Sequence, residues 1–117
     1  MATNIIYDHG DELAVVCTQP ATPASGDPVL FGQLPGVALT NEHSDGTTSV
    51  KFRGVAELSV IGHNGSANAA ISAGAVVYYD SGATPKINVN SSGVRFGIAM
   101  EAVSSGATST IQVRIGY

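Results

Sequence analysis

The side chains of this chain that could do chemistry are few. Asp8, His9, Asp11 and Glu12 put three carboxylates and an imidazole in one short stretch, and His43 or His63 could join them around a metal ion. Their spacing matches neither the ligand pairs of a zinc site nor the fixed offsets of an EF-hand loop. A polar turn between two strands makes the same pattern, and no metal is expected. Nucleotide chemistry has no seat either. Neither Lys51 nor Lys86 is preceded by Gly or followed by Ser or Thr, so the phosphate-cradling G-x-x-x-x-G-K-[ST] loop is missing, as is G-x-G-x-x-G. A Ser–His–Asp or Cys–His grouping assembles in space and leaves no fixed spacing. Still, no G-x-S-x-G elbow occurs, and Cys17 stands mid-strand in apolar company. The expectation is a protein that is not an enzyme and carries no cofactor.

Composition narrows the partners. The net charge is −4 with only five Lys and Arg. A nucleic-acid binder needs clustered cations to displace counterions from phosphate, so nucleic acid is not an expected partner. One cysteine allows neither an intrachain disulfide nor a cysteine-cluster metal site, and Cys17 reads as a small buried apolar residue. A sugar-binding module usually offers stacking aromatics. Here Trp is absent, and Tyr7, Tyr78, Tyr79 and Tyr117 are not spaced as a platform on one strand. The first residues lack a basic region and a long apolar core, so no export signal is expected and synthesis is expected to be cytoplasmic. No run approaches the ~20 apolar residues of a membrane span, so no membrane partner is expected.

Two surface features remain. Lys51 and Arg53 point outward from one strand, and Arg114 stands at a similar place near the C-terminus. Cations on a strand commonly mark a solvated face or block edge pairing. They could also meet acidic groups of a neighbouring subunit, where Arg orients its partner through bidentate pairing. The second feature is an apolar N-terminal arm of Ala2, Thr3, Asn4, Ile5, Ile6 and Tyr7. Such an arm can add itself to a partner's sheet edge, or serve as the first strand of its own sheet.

The elements that must position these residues are strands. At 117 residues the chain suits one domain, and 44% apolar with 12% charged residues describes a packed protein with an unusually neutral surface. A subunit of a larger assembly, covered by neighbours, has that composition. Fourteen Gly and dispersed β-branched residues disfavour helices. Short runs of period two between Gly, Asp, Asn and Ser clusters predict an all-β fold, a single small barrel or sandwich. Residues 1–11 read as the arm and first turn, and 12–117 as the β domain. Within it, 12–18 reads as a strand buried on both faces. Strands are further expected near 29–31, 36–40, 48–53 with Val50 and Phe52 inward, 55–61, and 75–79. Residues 94–103 read as the longest strand, with Val94, Phe96, Ile98 and Met100 on one face. Residues 109–115 close the chain, with Ile111, Val113 and Ile115 facing the core. The stretch 63–70 reads as a loop or at most one helical turn.

The chain also echoes itself. A gapless step from Gly36 to Gly97 carries Val37 onto Ile98, Ala38 onto Ala99, Val50 onto Ile111 and Arg53 onto Arg114. Upstream, a shorter step carries Ser25-Gly26-Asp27-Pro28-Val29 onto Ala73-Gly74-Ala75-Val76-Val77. Two similar β-units in one domain are expected.

In order along the chain, Ser25-Gly26-Asp27-Pro28-Val29, Pro35-Gly36-Val37-Ala38, Phe52-Arg53-Gly54-Val55-Ala56-Glu57-Leu58, Ser72-Ala73-Gly74-Ala75-Val76-Val77-Tyr78-Tyr79, Phe96-Gly97-Ile98-Ala99 and Val113-Arg114-Ile115 resemble the DUF2190 family of phage capsid cement (decoration) proteins. The departure is Ala75-Val76, where the family more often has an acidic residue followed by a Pro-like one. The resemblance implies a small β-rich protein, with no catalytic residues, that binds the outside of an assembled phage head. Its implied partners are the major capsid protein and further copies of itself, often as a homotrimer. The other function class compatible with these residues is a host- or glycan-binding β module on a phage or cell surface.

Overall fold

The computed structural model describes residues 12–116. Among them there is no helix, and nine strands form: β1 (Glu12–Val15), β2 (Pro28–Phe31), β3 (Leu34–Ala38), β4 (Thr48–Lys51), β5 (Gly54–Ile61), β6 (Val76–Tyr79), β7 (Ile87–Asn88), β8 (Val94–Ala99) and β9 (Thr108–Ile115). The first four make a sheet in the order β1-β4-β3-β2, and the remaining five close into a barrel, β5-β7-β6-β8-β9. The all-β expectation holds.

The sheet and the barrel are one design used twice. Omitting β7, the barrel order becomes β5-β9-β8-β6, which matches β1-β4-β3-β2 strand for strand. The loops agree in detail. Asp27 N–H donates to Ala24 O (3.0 Å), Gly26 N–H to Ala38 O (2.8 Å) and Ala38 N–H to Asp27 O (2.9 Å). In the second unit Ala75 N–H donates to Ser72 O (3.0 Å), Gly74 N–H to Ala99 O (2.7 Å) and Ala99 N–H to Ala75 O (2.9 Å). Gly26 and Gly74 both sit at positive φ, 90° and 91°, which a residue without Cβ adopts at little cost. The gapless alignment needs one correction, however. Val37 pairs with Lys51, whereas Ile98 pairs with Arg114, so the second hairpin carries two more residues before its last strand. Arg114 is therefore the counterpart of Lys51, not of Arg53.

Two apolar cores follow from the two units. Val29, Ala38, Val50 and Phe52 form the smaller, with Leu13, Val15 and Cys17 packed against it. The larger fills the barrel with Leu58, Val60, Val77, Ile87, Phe96, Ala99, Ile111, Val113 and Ile115, among others. The alternation read from 48–53 and 109–115 is thus observed, as apolar side chains on every second residue face inward.

Other expectations are corrected by the tertiary structure. The strand expected over 12–18 ends at Val15, which leaves Cys17 beyond it and only partly buried, and it is not buried on both faces. β1 lies at the sheet edge with one core beneath it, and Val16 is 61% exposed. The strand from Val94 ends at Ala99, and the longest strands are β5 and β9. A register shift opposite Val77 and Tyr78 makes Gly97 and Arg95 their partners and leaves Phe96 as an extra residue. A bulge of this kind reverses the parity beyond it. Phe96 and Ala99 are both buried, while Met100 is 48% exposed. Residues 63–70 make no helical turn, and a His63–Asn68 bridge closes that loop. β7, only two residues long, has no recognisable period, yet it is the strand that joins β5 to β6 and closes the barrel.

Candidate functional site

The expected contact residues fall into three situations. Ala2, Thr3, Asn4, Ile5, Ile6 and Tyr7 lie outside the described residues, as do Asp8, His9 and Asp11. Lys51 is engaged within the chain. Its register partner on β1 is Glu12, and Nζ stands 3.3 Å from Glu12 Oε1. Both groups are well exposed, so the pair contributes less than about 1 kcal/mol, but it engages the Lys51 ammonium within the chain. Among the described residues no group of His, Cys, Asp and Glu could hold a metal ion.

Arg53 and Arg114 are brought together. β4 ends at Lys51, and Phe52 turns its ring into the smaller core, which leaves Arg53 exposed outside. Gly54, at φ 104°, redirects the chain into β5, where its pairing partner is Ile115. The turn therefore delivers Arg53 to the end of β9, beside Arg114. Arg53 and Arg114 line one recess of about 440 Å³ with Leu34, Phe52, Gly54, Ile115 and Gly116. The side chains of Arg53 and Arg114 have no hydrogen bond or ion pair among the described residues. Two planar five-donor groups thus stand near apolar side chains on a chain whose net charge is −4. Among the described residues lining the recess there is no carboxylate, His, Cys or Tyr.

A polar network was not foreseen from the sequence. Asp80 Oδ2 accepts from Asn88 Nδ2 (3.2 Å) and Asn90 Nδ2 (3.0 Å), and Oδ1 accepts from Gly82 N–H (3.0 Å). These bonds, those from Asn90 and Asn88 foremost, hold its carboxyl below the usual carboxylate value. Asn88 is fully buried, and its Oδ1 accepts from Asn90 N–H (2.8 Å). The network fixes the β6–β7 turn and orients β7, so its role is scaffold. The Asp80-Ser81-Gly82 sequence signalled a turn. The two amides come from β7 itself, at Asn88, and from just beyond it, at Asn90, eight and ten residues along the chain from Asp80, and left no local cue.

The remaining reactive side chains are quiet. Burial pushes the Cys17 thiol up, opposite to what a nucleophilic thiolate needs. Tyr78 and Tyr79 are neighbours on β6 and alternate in facing. Tyr79 is buried, with its ring 6.5 Å from that of Phe96, so the pair makes no sugar-stacking platform.

A family model described as phage cement protein matches residues 7–115. The chain belongs to the phage cement protein family. Comparison with curated proteins and with solved structures finds no match. The match spans both β-units and the loops between them, in agreement with the resemblance read from the ordered motifs. A phage cement protein has a structural role at the phage capsid, and the family is one of structural proteins, not of enzymes. The neutral composition suits such a role.

Proposed function

We propose that this phage cement protein binds the outer surface of the assembled head at junctions between major capsid subunits and stabilises the shell, with the N-terminal arm and the Arg53–Arg114 recess as its contacts. The observation that carries the reading is the family match across both β-units. The recess supports it further, because two guanidiniums aimed at solvent fit acidic groups of a neighbouring subunit. Attachment of this kind needs no reaction. A ligand that binds only the mature shell stabilises that shell by mass action. A modest individual contact becomes effectively permanent when repeated through an oligomer such as a homotrimer.

The test mixes purified protein with mature heads that lack it. Co-sedimentation to saturation and increased heat resistance of the heads are expected. Protein that stays in the supernatant, or that binds isolated cells or glycans instead, rejects the proposal in favour of an adhesion module.

A further inference from the structure

The two β-units share one fold but not one environment. The pair Phe31–Leu34 ends the β2–β3 ladder, and its counterpart Tyr79–Val94 ends the β6–β8 ladder. Tyr79 is 2% exposed within the barrel core, with Val94 packed against that core. What covers them is the first unit. Leu30 belongs to the barrel's buried cluster and Val37 packs on it. Leu30 also shares one recess with Tyr79 and Val94. The outer face of β2–β3, bearing Leu30 and Val37, thus closes the mouth of the second unit's core.

Each half of that junction recurs without its complement. At the mouth of the first unit, Phe31 and Leu34 are 47% and 46% exposed. On the outer face of β6–β8, the counterparts of Leu30 and Val37 are Tyr78 and Ile98, flanked by Val76, all only half-buried. Exposed apolar groups gathered at one place on a small domain, as Phe31 and Leu34 are, mark a contact surface, and the half-buried Val76, Tyr78 and Ile98 offer the apolar face that would fit it.

We propose that a second copy of this chain completes the junction: the outer face of β6–β8, at Val76, Tyr78 and Ile98, covers the mouth of the neighbouring copy's first unit, at Phe31 and Leu34. The contact repeats between copies the packing already made within one. It is heterologous, so copies add in one direction until a ring closes. Three copies would place six β-units around an axis, which matches the homotrimer proposed above. The inference rests on the internal repeat and needs no capsid.

The experiment is therefore done on free protein, by size-exclusion chromatography with light scattering, and its failure leaves head binding untouched. The intact chain is expected to run at two or more monomer masses. Phe31→Ser with Leu34→Ser, and separately Val76→Lys with Tyr78→Ser, are expected to weaken association at least tenfold with unchanged circular dichroism. An equimolar mixture of the two variants is expected to form heterodimers, since each retains the surface the other has lost. A monomeric intact chain, variants that keep the parental mass, or a mixture that fails to pair each overturns the proposal. So does loss of association on deleting residues 1–11 when the mouth variant still associates, because the arm would then be the occupant. Should a variant not fold, Leu34→Cys with Tyr78→Cys in a Cys17→Ala background decides. Oxidation is expected to yield a ladder of covalent multimers, and its absence overturns the proposal.

Discussion

Replacing Gly97 by Ala tests the account of how the two halves of the barrel meet. Gly97 lies on β8 beside β9, and a Cβ there would overlap the Arg114 carbonyl oxygen and stand 3.0 Å from its carbonyl carbon and 3.3 Å from Ile115 Cα. All three atoms are backbone, and β9 is held on its other side by eight register pairs with β5. No side chain can swing away, so β8 and β9 must part. Overpacking a well-filled interior costs about 1–3 kcal/mol, and an immovable obstacle places Gly97→Ala near ~3 kcal/mol. For a domain of this size that lowers the melting temperature by about 12 °C. Gly74→Ala is the control. It has open space around it but sits at φ 91°, so only the backbone penalty of about 1 kcal/mol applies. Thermal unfolding followed by circular dichroism reads both. If Gly97→Ala melts within about 3 °C of the parent, or no lower than Gly74→Ala, the close approach of β8 to β9 is refuted.

Asp80→Ala leaves the buried Asn88 amide without its carboxylate and is expected to cost about 1–3 kcal/mol in denaturant unfolding. Because the folded carboxyl lies below the ordinary value of 3.8, its contribution is fully present above that pH and is lost as pH falls through the lower folded value. The acid limb of an unfolding curve should accordingly flatten in the variant. Arg53→Glu with Arg114→Glu is expected to weaken head binding at least tenfold in sedimentation, while the melting temperature stays within a few degrees, about 1 kcal/mol or less; unchanged binding removes the recess from the interface. Deleting residues 1–7 is expected to weaken attachment while the β domain still melts cooperatively; a truncated chain that saturates heads with unchanged affinity removes the arm.

Local chemistry carried much of the fold. Alternation at 48–53 and 109–115 placed Val50, Phe52, Ile111, Val113 and Ile115 in cores, because a strand with one buried face writes period two into its residues. The repeat was legible for the same reason, since matching turn glycines and small strand residues serve matching backbone needs at Gly26 and Gly74, or Ala38 and Ala99. Residues 94–103 misled because a bulge inserts one unpaired residue and reverses every facing after it. β7 was missed because two residues cannot show a period.

The site divides in the same way. The amino-acid sequence determined that no phosphate loop is present, that cations are few, and that the chain is built from two alike β-units, since these are statements about residue types and local spacing. It also placed Arg53 outside, next to the inward Phe52, although the strand itself stops at Lys51. Only the tertiary structure decided that Lys51 is spent on Glu12 while Arg53 and Arg114 share a recess, because both outcomes are set by strand register between distant segments. It likewise decided that one unit's mouth is covered and the other's open. Burial of Tyr79 and exposure of its counterpart Phe31 depend on which unit packs over which, and residue type carries no record of that.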